Sequence, residues 1–183
     1  MAARKYNLSL HGVLNRTHVG LAELRQLIDQ DMVSTPRIEL AEQHQLAWCI
    51  GRVCAVRPGS IGRPEKGSAP GRLQFLAWRD VTITRSLDEP GMFIVKLVFR
   101  NAKGGNVDLQ KASETNVNKK PLECVIMPPK NQHNLIFSIA HRLLIIALRR
   151  DLIVGIKTID ELLEGHQYNI LVRKSMPSIS CIG

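Results

Sequence analysis

The stretch Cys54-Ala-Val-Arg57-Pro58-Gly59-Ser60-Ile61-Gly62 organises the rest of the chain. It closes an apolar run over residues 40–56, which predicts a buried helix. Pro58 and Gly59 should stop that helix, because the residue before a proline disfavours the α region and proline cannot continue the hydrogen-bond ladder. The helix would therefore deliver Arg57 to a forced turn. A guanidinium at such a turn is well placed to bind an oxyanion.

The plainer interpretation of Arg57 is structural. In that interpretation its side chain extends to solvent or pairs with a carboxylate such as Glu39 or Asp80. A third hypothesis gives Arg57 and Asp80 to a phosphoryl-transfer enzyme, which would require a divalent metal. The planar fork of arginine binds carboxylates and phosphates alike, so the residue type alone does not separate these possibilities.

The overall composition describes a soluble, basic protein. The 183 residues suit one domain with a real core, and 25 Lys and Arg against 16 Asp and Glu give a formal net charge of +9. A basic domain of this size often binds polyanions, because each cation placed on a phosphate releases a condensed counterion. The aromatic content is only 4%, which argues against stacking platforms for single-stranded nucleic acid. Many basic proteins bind nothing anionic, so the charge permits a nucleic-acid partner without requiring one.

The cysteines and the apolar segments indicate the cellular setting. The four cysteines form neither a Cys-x-x-Cys motif nor a zinc-type spacing with the six histidines, so we expect free thiols in a reducing, intracellular compartment. We expect no metal and no cofactor. The first residues lack the apolar core of a signal peptide. The most apolar segment, 135–154, is interrupted by charged residues, which predicts a buried helix and no contact with a membrane.

Helical periodicity dominates the first third of the chain. It predicts one helix over 17–32, with Thr17 as its N-cap, a break at 34–36, and a second helix over 37–56. The buried side of the second helix is predicted to carry Leu40, Ala47, Ile50, Val53 and Cys54.

The period then changes from helix to strand. Three segments alternate or are rich in β-branched residues, namely 73–84, 92–99 and 122–127. Turn residues separate the first two at 88–91, and a glycine-rich turn at 101–106 is followed by a polar loop over 107–120. The simplest arrangement is a three-stranded antiparallel sheet.

The last third is predicted to be helical again. Residues 134–151 are apolar nearly all round and predict the central core helix, with His141 at its edge as a hydrogen-bonded structural residue. Thr158 and Glu161 form a capping box for a short helix ended by Gly165, and 170–172 could be a further strand or extended piece.

The predicted fold is therefore mainly α with a small three-stranded antiparallel sheet, of the α+β class. We assign a polar tail to 1–15, a single domain to 16–174 and a C-terminal tail to 175–183.

A basic loop and a turn supply the candidate binding residues. The loop over 57–72 is too polar for a core, and Lys103 lies at the tip of a strand–turn–strand unit, where it could act as a mobile charge or a proton donor. The candidate DNA-binding residues are Arg63, Lys66, Arg72, Arg79 and Arg100.

Three motifs resemble a known family. They are Arg57-Pro-Gly-Ser-Ile, Leu76-Ala-Trp-Arg-Asp80-Val and Leu135-Ile-Phe-Ser-Ile-Ala-His141. In this order they are similar to the captain-type tyrosine recombinases of fungal Starship transposons, a family related to Crypton recombinases and long known as a fungal domain of unknown function. The similarity runs over about 21–174.

The resemblance implies a role for several residues. Arg57 matches the first catalytic arginine, and Lys103 is the best match for the hairpin lysine, with Lys96 and Arg100 as competitors. The chain would then resemble the N-terminal part of a recombinase catalytic domain, act in the nucleus in DNA recombination or integration, and need no metal or cofactor. Its partner would be double-stranded DNA, on which self-association is also open.

The chain departs from this family in its later catalytic residues. None of the six histidines has an arginine three positions later, and Tyr168, the only late tyrosine, precedes the place where that motif belongs. We therefore expect a truncated or decayed member that cannot recombine DNA alone. The alternative is a structural or protein-interaction module that binds no nucleic acid.

Overall fold

The computed structural model describes residues 19–62, 76–100 and 121–173. About 50% of them are helical and 17% lie in strands. Within these ranges the α-helices are α1 (Leu21–Ser34), α2 (Ile38–Cys54), α3 (Pro58–Ile61), α4 (Ile139–Arg149) and α5 (Ile159–Glu164). Two 3₁₀-helices cover Trp78–Asp80 and Gln132–Phe137. The strands are β1 (Val81–Arg85), β2 (Phe93–Phe99), β3 (Leu122–Ile126) and β4 (Asn169–Ile170).

The sheet has four strands in the order β3-β2-β1-β4, and all neighbours are antiparallel. The prediction of a small antiparallel sheet is confirmed, but the count of three strands is wrong. The added strand is β4, which pairs with β1 through Ile83 and Ile170. It comes from the segment that the sequence left as either a strand or an extended piece. A two-residue strand shows too little alternation to be assigned from its own pattern.

β2 is the strand on which the core is built. Phe93, Val95, Leu97 and Phe99 are buried, whereas the residues between them are only half-buried. This period of two is the pattern of a strand with one face on a core. Helix α4 packs on this face and against α2, so the predicted central position of the apolar helix is confirmed. The turn before β2 is also confirmed, and its Gly91 has a φ of 76°.

The first predicted strand is much shorter than expected. It starts at Val81, residues 73–75 lie outside the described ranges, and Trp78–Asp80 form a 3₁₀ turn. Trp78 is fully buried and so mimics the inward position of a strand. The turn forms because the Asp80 carboxylate accepts a hydrogen bond from the backbone N–H of Ala77, at 3.3 Å, which favours a local turn over a ladder.

Helices α1 and α2 lie close to their predicted positions, with a break at 34–36 as expected. The N-cap of α1 is Gly20, and the predicted cap Thr17 lies outside the described residues. The predicted buried face of α2 is partly wrong, since Val53 is 53% exposed. The buried residues are Ala41, Gln45, Leu46, Cys49 and Ile50.

A buried polar link explains why the α2 face was misassigned. Gln45 donates from Nε2 to Oδ2 of Asp31 on α1, at 3.2 Å, and accepts at Oε1 from Arg142 on α4, at 2.7 Å. Arg142 also donates from Nε to the carbonyl oxygen of Ile136, at 2.8 Å. The hydrogen bonds offset the cost of burying these groups. A hydrophobic pattern assigns glutamine to the surface. Because Gln45 is in fact buried, the predicted buried face of α2 is rotated relative to the observed one.

The predicted helix over 134–151 is divided in two. Residues Gln132–Phe137 form the 3₁₀-helix, and α4 then begins after its N-cap Ser138, whose Oγ accepts from the N–H of His141. The helix ends in a Schellman motif, in which Leu152 N–H reaches the carbonyl of Ala147 at 2.8 Å. Asp151 takes the left-handed position of that motif, with a φ of 51°.

The capping box of α5 is confirmed. Thr158 Oγ1 accepts from the N–H of Glu161 at 3.2 Å, and Glu161 Oε2 accepts from the N–H of Thr158 at 3.3 Å. Gly165 ends the helix as predicted.

Candidate nucleic-acid interface

A fully buried carboxylate lies within ion-pair distance of two arginines where β1 begins. The Asp80 side chain has no exposed surface, and its Oδ1 lies 2.6 Å from Nε of Arg100. Its Oδ2 lies 3.8 Å from Nε of Arg79. The side chains of Arg79 and Arg100 are themselves 54% and 49% exposed. The cluster thus has a buried negative centre and an exposed positive surface.

The two arginines are held to different degrees. The 2.6 Å contact is a short, charge-assisted hydrogen bond that fixes the guanidinium of Arg100 through its Nε edge. The 3.8 Å separation is too long for a hydrogen bond, so Arg79 is attracted by the carboxylate but not fixed by it. Because Arg100 binds Asp80 through Nε, its two Nη groups remain to donate to a second oxyanion, such as a phosphate.

The strand register places these residues together. Val81 pairs with Leu97, and the antiparallel register continued by one residue sets Asp80 opposite Val98. Arg100 stands two residues further along, at the diagonal spacing that long side chains can bridge. Asp80 and Arg100 are 20 residues apart in the chain, so no local motif could have predicted their contact.

Arg57 occupies a different local structure from the one predicted. Helix α2 ends at Cys54, and Ala55 terminates it in the left-handed region with a φ of 52°. Pro58 does not stop α2. It is the first residue of the short helix α3, whose N-cap is Arg57. Proline is favoured at that first position, because its missing N–H would have no helical partner there.

The carboxylates proposed as partners of Arg57 do not pair with it. Asp80 is bound by Arg79 and Arg100, and Glu39 lies in the first turn of α2, about 20 Å from its C-terminal end at 1.5 Å per residue. Within the described ranges Arg57 takes part in no ion pair. Its side chain is exposed, so it is available to an external anion.

A row of paired residues runs across the sheet from β3 to the Asp80 cluster. Cys54, the last residue of α2, and Cys124 on β3 both pack against the hydrophobic core. Cys124 pairs with Leu97 on β2, which pairs with Val81, the residue after Asp80. Neighbouring strands are about 5 Å apart, so this row spans about 10 Å. Arg57 follows Cys54 by three residues, and among the described residues no ion pair joins it to the cluster.

The positive charge is unevenly distributed along the chain. The described ranges hold 14 Lys and Arg and 13 Asp and Glu, so eight of the nine excess positive charges belong to 1–18, 63–75, 101–120 and 174–183. Two of these segments join the described structure at the cluster. Segment 63–75 leads into the turn that holds Asp80, and segment 101–120 begins directly after Arg100.

Several candidate residues fall outside the described ranges. These are Arg63, Lys66, Arg72 and Lys103, together with the loop predicted over 107–120. Lys96, a competitor of Lys103, lies in the middle of β2, and its Nζ is 2.6 Å from Oε2 of Glu123 on β3. That pairing gives Lys96 a partner within the sheet.

His141 has the structural role that the sequence predicted. Its Nδ1 lies 2.7 Å from Oγ of Ser138, and its Nε2 lies 3.2 Å from the carbonyl oxygen of Gly91. The ring also meets Phe93 edge-on. Burial lowers the pKa of His141, although the hydrogen bond to Gly91 opposes this shift. The neutral ring therefore connects the start of α4 to the turn before β2.

The phosphoryl-transfer hypothesis requires the Asp80 carboxylate to act together with Arg57. That carboxylate is buried, is hydrogen-bonded to Arg100 and lies near Arg79. No group of three or more His, Cys, Asp or Glu side chains that could hold a metal ion occurs in 19–62, 76–100 or 121–173. In the same ranges, no helix has the length and hydrophobicity needed to cross a membrane.

Comparison with known proteins found no match. No protein-family model matches the chain, and no significant match was found among curated proteins or solved structures.

Proposed function

We propose that this chain binds double-stranded DNA through the surface formed by Arg57, Arg79 and Arg100. The observation that carries the proposal is the Asp80 cluster. A buried carboxylate holds Nε of Arg100 at 2.6 Å, and the Arg100 side chain is 49% exposed, so its Nη groups are not needed for this contact. Phosphate oxygens are the acceptors that such an edge binds in two parallel hydrogen bonds. A surface arginine without an anchor would lose more conformational entropy on binding.

The distribution of charge supports the same location. Two basic segments enter and leave the described structure beside the cluster, and they contain the candidate residues Arg63, Lys66, Arg72 and Lys103. A row of cations facing one strand of DNA would give a salt-dependent affinity with little sequence preference. We do not expect the protein to choose a target by this surface alone.

The resemblance to captain-type tyrosine recombinases is part of this proposal. It would make Arg57 the descendant of a catalytic arginine and the chain a DNA-binding, recombinase-like domain of a mobile element. The sequence has no histidine followed three residues later by arginine, so we propose binding without strand transfer. A nucleophile that lacks its phosphate-binding partners gains little transition-state stabilisation. Nuclear localisation and self-association on DNA follow from the same resemblance and remain proposals.

The test is the anisotropy of a labelled DNA duplex titrated with wild-type protein and with Arg57→Ala. We expect Arg57→Ala to weaken binding several-fold at low salt and to leave the circular dichroism spectrum unchanged, because the side chain is exposed and forms no described ion pair. Arg25→Ala is the matched control, since Arg25 is an exposed arginine on α1. Loss of folding in Arg57→Ala would identify a structural arginine, and equal affinities for all three proteins would favour a module that does not bind DNA.

A further inference from the structure

An apolar groove opens at the end of β3. It lies where the first residue of α1, the last turn of α2 and the first turn of α4 surround that strand end. Its apolar lining residues include Leu21, Val53, Ile126, Met127, Pro129 and Phe137. Val53 is the α2 residue that the sequence wrongly predicted to be buried, and Met127 is 63% exposed. The groove therefore presents apolar surface to solvent.

The size of the groove suits a side chain better than a small molecule. Its volume is about 240 Å³. Pockets that bind small molecules usually measure about 300–1,000 Å³. The polar residues in the lining, Asn134 and Ser138, carry no charge, so the groove itself has no group that pairs with an ion. One or two apolar side chains are the occupants that fit.

β3, which leads into the groove, is an open edge of the described sheet. Its strand partner is β2, and in the described ranges residues 122–126 make no backbone hydrogen bond to any other segment. Leu122, Cys124 and Ile126 pair with buried residues of β2, so they lie on the inner face of the sheet. Leu122 is nevertheless 40% exposed, so the core layer is open at this edge.

β3 lacks the features that usually protect an edge strand. Proteins discourage the addition of a further strand with lysines, prolines or bulges in the edge strand itself. The one charged residue of β3 is Glu123, and its Oε2 lies 2.6 Å from Nζ of Lys96 on β2, which leaves the edge neutral. Prolines stand only outside β3, at positions 121, 128 and 129. They limit an added strand to about five residues.

The charges beside the groove indicate the kind of partner. Arg52 precedes Val53 and Lys130 follows Pro129 in the chain; both cations are exposed, and neither takes part in an ion pair within the described ranges. A second copy of this chain would bring the same two cations and a further formal charge of +9, which oppose association. The complementary partner is therefore acidic.

We propose that β3 and this groove bind an extended, acidic segment of another protein, which adds a strand to the sheet. Main-chain hydrogen bonds along β3 supply the affinity, and side chains at alternate positions supply the specificity. The segment places apolar residues on the inner face, one of them in the groove beside Val53 and Met127. An acidic residue at that end of the segment faces Arg52 and Lys130.

The anisotropy of labelled synthetic peptides titrated with the full-length chain tests the proposal. The first peptide alternates valine and leucine with threonine between acidic ends. The second has lysines in place of the acidic residues, and the third keeps the acidic ends but has proline in place of its central threonine. We expect the first peptide to bind about tenfold more tightly than either of the others, because lysine ends meet the basic rim and proline removes a ladder hydrogen bond.

Matched variants locate the site. Val53→Asp should weaken binding of the first peptide about tenfold, because it puts a charge into the apolar groove. Val33→Asp is the control, since Val33 is an exposed valine on α1 that does not line the groove, and it should leave the affinity unchanged. In Arg52→Glu/Lys130→Glu the preference should reverse toward the peptide with lysine ends.

Other outcomes would overturn the inference. Equal affinities of the three peptides for the wild type would do so, and this comparison holds even where a variant does not fold. Equal effects of Val53→Asp and Val33→Asp would also do so. A dimer in sedimentation equilibrium that Val53→Asp dissociates would give the groove to a second copy instead. The peptides and these tests involve no nucleic acid, so they are independent of the proposed DNA binding.

Discussion

The ion pair between Asp80 and Arg100 should be measurable as a coupling energy. The perturbation is a double-mutant cycle of Asp80→Ala, Arg100→Ala and the variant carrying both. In Arg100→Ala, the partners that remain for this fully buried carboxylate among the described residues are the backbone N–H of Ala77, at 3.3 Å, and Arg79, at 3.8 Å. Losing a hydrogen bond between charged groups costs about 1.5–3 kcal/mol. Breaking a fully buried ion pair costs about 3–5 kcal/mol.

The expected magnitude lies between these limits and toward the lower one. Arg100 is 49% exposed, so water can solvate its guanidinium when Asp80 is removed and replaces part of the lost electrostatic stabilisation. We therefore expect a coupling of about 1.5–2.5 kcal/mol for Asp80 with Arg100. For Asp80 with Arg79, at 3.8 Å and 54% exposure, we expect less than about 0.5 kcal/mol. The contrast between the two cycles is the prediction.

Urea unfolding measures both cycles. Circular dichroism and tryptophan fluorescence should give the same midpoint, and the m-values of the variants should agree with the wild type, so that differences in midpoint report stability. Trp78, fully buried two residues before Asp80, makes the fluorescence sensitive to this region. Equal couplings for the two arginines, or a coupling below about 0.5 kcal/mol for Arg100, would refute the view that Asp80 holds Arg100 in place.

Three further predictions concern stability. Asp151→Gly should raise the free energy of unfolding by about 0.5–1 kcal/mol in urea, because Asp151 has a φ of 51° that glycine adopts without strain; Asp151→Ala should not raise it. Gly165→Ala should cost about 1–3 kcal/mol, since a Cβ would lie 2.8 Å from a backbone carbonyl, whereas Gly59→Ala, whose Cβ meets nothing within 4 Å, should change little. Because burial lowers the pKa of His141, the unfolded chain binds its proton more readily, and the stability present above pH 6.5 should be lost as the pH falls from there toward the lowered pKa. Between pH 7 and 5, the melting temperature of His141→Gln should fall less than that of His133→Gln. Equal falls in the two variants would contradict the prediction.

The sequence predicted those elements whose signals are local. The alternation in β2, the turn before it and the capping box of α5 each lie within a few residues and agree with the structure. The error at Trp78–Asp80 has a physical cause, because a buried tryptophan satisfies a strand pattern even where a side chain closes a turn. The helix stop at Pro58 was wrong for a similar reason. Proline ends one helix and begins another by the same rule, and the sequence does not say which occurs.

The candidate site was only partly predictable. Arg79 and Arg100 were both named as candidate DNA-binding residues. Asp80, the carboxylate that lies beside both of them, was considered only as a partner of Arg57. Asp80 meets Arg100 through the β1–β2 register. Such contacts depend on tertiary structure, and a single sequence carries no periodic signal for them. The buried Gln45 was missed for the same reason, since its two partners lie on other helices.

The salt dependence of DNA binding tests the central proposal most directly. Anisotropy titrations at several salt concentrations would compare the wild type with Arg57→Ala/Arg79→Ala and with the control Arg25→Ala/Lys157→Ala. Each variant removes two exposed cations, so the net charges match. If Arg57 and Arg79 lie on phosphates, the plot of log affinity against log salt should become shallower by about 1.8 in the first variant and stay parallel to the wild type in the control. Equal slopes for all three proteins, or an affinity that salt does not change, would contradict the proposal.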